Sequence, residues 1–539
     1  MFFRLINHFL LIALSLCGCT NMESAKQKKV SLHLNIYTDP PTLDPRKTFD
    51  SVASNTLLFL FDGLTRIGFD NHPHLAIAKD VTISNDQKTY TFHLKNALWS
   101  NGDLLTSHDF LFAWQSLLSP SFDSPSAYKL FLIQNAKKIK GGELPLSKLG
   151  VEVPDENTLI VHLEYPAPYF LELLSFSVFF PINQKIASLD PNWADGAGPH
   201  YVSNGPFTLS SWEYENEIVL KKNPLYWDAS VVKIEKVNLA MVGDTLTEYY
   251  LFESGELDFA GSPCSNLPID VLPTLDKEGK LGRTPFSAIY YYKFNTDHFP
   301  LQNINIRKGL ALSIDRGAIV EHVMQVGHIS ATSFVPPLPN PLFNSEKNLL
   351  PISDNDSEKG KKLFNEGLKE EGINLQGFPK LILSFNANRE HQRVAEAIQE
   401  QWNKKLGIQV TLEQFDWKVF LNKVGKQDYH IARAAWLGEY NDPMAFLTIF
   451  KSRGDDGLGA DNQTGWENPQ FTNLLDLANY EKDPIKRAAI LVSAEKILMD
   501  EMPIIPIYYI EGLYIKSPRL KDVLITSCGA IDFKWAYFQ

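Results

Sequence analysis

In Tyr429-His-Ile-Ala-Arg433-Ala-Ala-Trp436-Leu-Gly-Glu439-Tyr440 a strand-like run ends in a cation, an indole and a carboxylate. Ligands of α/β proteins gather where strands end, because the loops there let polar side chains converge. On the residues alone two readings compete. Arg433 and Glu439 serve a ligand, or they pair with each other on a solvated loop, as most charged residues do. Around this run the pattern alternates between strand and helix. Val30 to Tyr37, Thr89 to Leu94 and Thr158 to Leu163 alternate apolar and polar residues as half-buried strands do. Thr106-Ser-His-Asp109, ahead of Phe110-Leu-Phe-Ala-Trp114, has the form of a capping box. Arg393 to Leu406 places Val394, Ala397, Ile398 and Trp402 on one helical face and stops at Gly407. No unit of solenoid or propeller length repeats, so the mixture predicts α/β lobes.

Composition narrows the function classes. The chain has 539 residues, 44% hydrophobic and 21% charged, enough to bury a large core. Lys and Arg number 51 against 63 Asp and Glu, a net charge of -12 that repels a phosphate backbone and argues against nucleic acid as a partner.

The amino end reads as an export signal: Arg4, the apolar stretch Phe9 to Leu16, then Leu16-Cys17-Gly18-Cys19 and polar residues from Thr20. The apolar run is too short to span a bilayer. Leu-Cys-Gly-Cys resembles the lipobox of bacterial lipoproteins, with Cys19 as the acylated residue; a plain signal peptide is the competing reading. Acyl chains on Cys19 would hold the protein at a membrane surface, with residues 20–29 as a polar, Lys-rich tether.

Signatures of catalysis are sparse. No nucleophile elbow, zincin helix, phosphate loop or dinucleotide fingerprint occurs. Ser126-Ala-Tyr-Lys129 and Ser353-Asp-Asn355 match two of the three elements of penicillin-interacting acyltransferases, but the Lys-Thr-Gly element is absent, which leaves an acyltransferase as a remote alternative. His72 and His74 flank Pro73 in a turn and suggest no metal site.

Several segments, in order and spacing, carry a resemblance: Thr42-Leu-Asp-Pro45, Phe61-Asp-Gly-Leu64, Leu94-Lys-Asn-Ala-Leu-Trp99-Ser-Asn-Gly102, Ser254-Gly-Glu-Leu-Asp258, Phe294-Asn295, Ile306-Arg307-Lys-Gly-Leu-Ala-Leu-Ser-Ile-Asp315-Arg316 and Arg433-Ala-Ala-Trp436. From Val30 to Gln539 the chain resembles the extracytoplasmic solute-binding proteins of peptide and nickel ABC importers, and among them the oligopeptide-binding proteins. The resemblance implies an α/β, bilobal, type II periplasmic-binding-protein-like fold with an extra small domain on lobe one. In this numbering residues 1–18 are the signal peptide and 19–29 the tether. Lobe one comprises 30–61, 187–287 and 507–539, the extra domain 62–186, and lobe two 288–506.

The implied function is capture of short peptides in a closing cleft and delivery to permease and ATPase subunits, without catalysis or cofactor. The protein would be a lipid-anchored monomer on the periplasmic or cell-surface side of a bacterial membrane. Glu439 stands where the family holds the peptide amino end, and Arg433 and His391 match positions for its carboxylate. Trp436, Trp417 and Tyr291 match or neighbour cleft aromatics, with core packing as the competing reading. Met324 and Val424 fall at or near positions where relatives carry cations, for which Lys423, Lys426 or Arg389 could substitute. Ala288 and Leu437 replace a cross-lobe disulfide of the family. Cys264 and Cys528 share lobe one in this division and are its possible disulfide. A second reading on the same fold is a binder of another solute: a nickel complex, haem or a modified peptide.

Overall fold

The computed structural model describes residues 31–347, 355–451 and 462–539, so the signal segment, Cys19, the tether, Ser353 and Asp354 lie outside the described residues. Among the described residues no helix is long and apolar enough to cross a membrane.

An eleven-stranded mixed sheet organises the chain. From one edge its order is Val410–Phe415, Leu381–Asn386, Ile431–Leu437, Gly282–Phe294, Ile504–Lys516, Phe259–Gly261, Ser31–Asn35, Lys236–Ala240, Glu217–Lys222 and Phe207–Glu213, with Ile329–Ser330 pairing to Ile504–Lys516 off this path. The two longest strands, Gly282–Phe294 and Ile504–Lys516, are antiparallel neighbours that run from one half of the molecule into the other. Their register shifts between Pro285 and Ile289, where Pro285 has no N–H to give to a ladder.

Two hydrophobic cores flank that irregularity. One gathers side chains from Leu32 to Phe259 together with Leu520 to Phe538; the other gathers Ile289 to Tyr509. Tyr169 and Tyr440 pack against both, their rings stacked 4.3 Å apart at the junction of the two lobes.

The extra domain is built on the antiparallel order Ala78–Ile83, Thr89–Leu94, Thr158–His162, Val151–Asp155. Its strands bury alternate residues, as their period-two pattern requires. Its long helix, Ser107–Leu118, opens on the expected capping box, with the Thr106 amide donating 2.9 Å to Asp109. The Trp99 indole also donates to Asp109, and the Trp114 indole donates to the Phe179 carbonyl, so both fully buried indoles have a partner. The core of this domain runs without a break into that of lobe one.

Buried cations tie distant segments together. Arg66 donates to Asp532 through two bonds of 2.6 and 2.9 Å and to Asp62 at 3.3 Å, fixing the start of the extra domain to the carboxy-terminal hairpins. Arg307 of the Ile306-Arg307 motif donates to the carbonyls of Leu301, Gln302, Glu501 and Met502, which satisfies the last turn of the helix Pro484–Glu501. Burial lowers its pKa to about 10, so it is still a cation at neutral pH.

Candidate functional site

The strand Ile431–Leu437 lies between Gly282–Phe294 and Leu381–Asn386. Gly282–Phe294 accompanies it along its whole length, from Phe294 opposite Ile431 to Ala288 opposite Leu437. Leu381–Asn386 pairs with it only at Leu383 with Ile431 and Ser384 with Ala432. From Arg433 onward one edge of the strand therefore has no strand beside it among the described residues, leaving backbone N–H and C=O groups to face an incoming chain.

Arg433 stands at the start of that open edge. Its guanidinium carbon lies 4.9 Å from the centroid of the Tyr290 ring, its Nη1 donates to Asn386 at 3.5 Å, and its buried Nε meets no acceptor among the described residues. The helix Arg389–Leu406 begins four residues before the position expected from its apolar face, because the Asn388 side chain caps it by accepting from the amides of Glu390 and His391. Its first turn thereby places Glu390 and His391 beside Arg433 and the stacked rings of Tyr290 and Tyr508. Burial, aided by the charge of Arg433, pushes the His391 pKa down to about 3. His391 is thus a neutral imidazole at neutral pH and can offer a hydrogen bond but no charge. Burial also raises the Glu390 carboxyl above its ordinary range, and Tyr508 donates to it at 3.2 Å.

Glu439 follows at the other end. The loop carrying it is pinned by a buried bidentate pair, Arg487 to Asp442 at 2.6 and 2.9 Å, and by the Tyr169–Tyr440 stack. The Glu439 carboxylate accepts from the Tyr128 hydroxyl at 2.8 Å and from Lys129 Nζ at 3.0 Å, both of the extra domain. Behind it lies a cavity of about 280 Å³ whose walls include Lys129, Glu172, Phe176, Glu439, Asn441 and Cys528. Glu172 accepts from the amide and the side chain of Asn441 at 3.0 and 2.7 Å, yet burial raises its pKa to about 7.

The folded protein therefore holds the Glu172 proton more tightly than the unfolded chain, whose ordinary value is 4.5, and loses stability as pH rises from about 4.5 through about 7. Glu172→Gln keeps an acceptor for Asn441 and removes the titration. Its stability relative to the parent should rise across that interval, as measured by urea unfolding at a series of pH values; a constant difference would show that Glu172 titrates normally.

The remaining candidates fall in different places. Trp436 is half-buried and donates its indole N–H to the Ala445 carbonyl at 2.7 Å. Trp417 is exposed and stacks on Phe420 of its own helix. Tyr291 packs edge-on against Phe334 in the second core, with 1% of its surface exposed. It is a core residue, because in a pleated strand its side chain faces away from those of Tyr290, whose ring lies against Arg433, and Tyr292, which stands opposite Arg433 in the ladder. Met324 and Val424 are both buried among apolar neighbours. Of the proposed substitutes, Lys423 pairs with Asp428 at 2.7 Å, Arg389 lies 3.8 Å from Asp270, and Lys426 is exposed.

Cys264 and Cys528 are free thiols in the structure and do not form the anticipated disulfide. Cys264 sits in the turn after Phe259–Gly261, its amide bonded to Gly261, while the Cys528 sulfur lies 3.6 Å from Asn441 and 3.9 Å from Glu172. Burial raises both thiol pKa values, that of Cys264 to about 12. Of the two acyltransferase motifs only the first is fully among the described residues. Ser126 donates its hydroxyl to the Thr48 carbonyl at 2.6 Å, whereas Lys129 is directed to Glu439.

Tyr128, Lys129, Glu172, Tyr290, Glu390 and Tyr508 complete the two ends of the site, and sequence reasoning assigned them no part in it. Strand alternation next to Tyr291 is a signal for Tyr290 and adjacency to His391 one for Glu390; Tyr128, Lys129, Glu172 and Tyr508 come from segments far away in the chain.

Residues 72–457 match the family model of bacterial extracellular solute-binding proteins, family 5. The chain belongs to this family. It is 40% identical over 536 residues to the oligopeptide-binding protein OppA of Bacillus subtilis, covering 98% of this chain and 97% of that protein. It is 34% identical over 539 residues to the dipeptide-binding protein DppE of the same organism, covering 97% of each. Among solved structures, Haemophilus influenzae OppA in complex with the peptide RPPGFSPFR superposes with a TM-score of 0.78 at 28% identity, covering 95% of this chain and 99% of that one. These matches bear out the bilobal α/β fold of type II periplasmic binding proteins.

Proposed function

We propose that this family 5 protein is the extracytoplasmic receptor of an ABC importer, anchored through lipidated Cys19, that encloses short peptides between its lobes and hands them to permease and ATPase subunits. The open edge of Ile431–Leu437, bounded by Arg433 and Glu439, carries this reading. An extended peptide satisfies its own amides on such an edge as an added strand, which makes recognition tolerant of side-chain sequence. Specificity then rests on the termini, with Glu439 for the ammonium and Arg433, assisted by neutral His391, for the carboxylate. Six residues separate the two, the last two of them beyond the strand, a span of at most about 20 Å, so a peptide of about three to five residues fits between them once the reach of both side chains is subtracted.

Mass spectrometry of protein purified without denaturation tests the proposal. Co-purifying short peptides are expected, whereas a nickel complex, haem or another solute in their place would overturn it. Arg433→Ala should weaken peptides that just span the two ends about tenfold and affect longer ones less, because only the former place their carboxylate at residue 433. Calorimetry on a length series checks this; a uniform loss would contradict the role.

A further inference from the structure

The acid assigned to the peptide amine already holds an ammonium. Lys129 Nζ lies 3.0 Å from Glu439 Oε1, and the same oxygen accepts from Tyr128 at 2.8 Å. Lys129 is well shielded, its side chain only 15% exposed. Its backbone is fixed, since the turn Ala127–Leu130 is anchored through Ser124 and Ser126, which donate to the carbonyls of Arg46 and Thr48 at 2.7 and 2.6 Å. With the lobes in this arrangement the ammonium reaches Glu439 through its own side chain. It also lies 5.2 Å from the centroid of the Phe176 ring, a second favourable contact for a cation.

We propose that Lys129 is a tethered competitor for the amine site and thereby sets how strongly the protein distinguishes peptides with a free amino end from those whose amino end is blocked. This rests on the reading of Glu439 as the amine partner. A group tethered within side-chain reach acts at an effective concentration of the order of millimolar or more, so an incoming ammonium must displace it. A peptide whose amino end is acylated brings no cation, leaves the Lys129–Glu439 pair intact, and gains nothing from its removal. Lys129 thus lowers the affinity for free-amine peptides selectively and narrows their advantage over blocked ones.

Titration calorimetry with one short peptide, as the free amine and as its N-acetyl form, reads this advantage as a ratio of affinities. Lys129→Met keeps the length and apolar stem of the side chain, and Lys129→Gln is a second variant should the first fold poorly. Each is expected to raise the ratio about tenfold, the equivalent of one charge-assisted hydrogen bond, by tightening the free-amine peptide alone. An unchanged or smaller ratio, with Glu439→Ala still abolishing the preference, overturns the competitor role and leaves the amine site standing, because the peptide ammonium then joins Lys129 on the carboxylate. A ratio near one in the parent protein, unaffected by Glu439→Ala, overturns the amine site itself.

Discussion

Glu439→Ala is expected to weaken a short free-amine peptide by about 2–4 kcal/mol and to leave its N-acetyl form within about twofold. The effect arises in the closed cleft, where the ammonium has given up water and requires an anion within hydrogen-bond distance. Glu439 is partly open to solvent, its side chain 31% exposed, so the loss belongs at the modest end of the range for buried charge pairs. Glu172 lines the same cavity but cannot fully substitute, because with a pKa near 7 it carries only part of a charge at neutral pH. Isothermal calorimetry on both peptides decides the matter, and equal losses for the free and acetylated forms would remove Glu439 from the amine site.

Arg66→Met should reduce the free energy of unfolding by about 3–5 kcal/mol in urea denaturation. Burial works against the charge of Arg66, and Asp532 and Asp62 more than offset this, so the guanidinium is held above its ordinary pKa. Removing it leaves two buried carboxylates, one of which also receives the Tyr226 hydroxyl and the Trp227 indole. Adding Asp532→Asn to the variant should recover part of the loss, since it removes one stranded charge. A single-variant loss below about 1 kcal/mol would mean that water reaches the carboxylates and that this network contributes little to holding the extra domain on lobe one.

Local patterns in the sequence were sound where the physics is local. The strand Thr89–Leu94 occupies the expected residues, the capping box opens Ser107–Leu118, and Gly407 ends its helix with φ of 73°, a left-handed conformation that glycine adopts without strain. Tyr291 shows the limit. A run of three tyrosines does not reveal which one faces the site, since shifting the register by a single residue exchanges the two faces of a strand. The cysteines show another, because pairing depends on a separation in space that spacing along the chain does not contain.

By itself the sequence determined the family, from motifs in order along the chain, and the alternation of strands and helices and the placing of Arg433 and Glu439 six residues apart about the end of one strand, which depend on neighbours a few positions apart. Only the tertiary structure decided the charge states and partners at those ends. It made His391 a neutral imidazole, raised Glu172 to a pKa near 7, and directed Lys129 onto Glu439. The reason is that desolvation and ion pairing are set by whatever the fold brings within a few ångströms, and for Glu439 that partner stands 310 residues earlier in the chain.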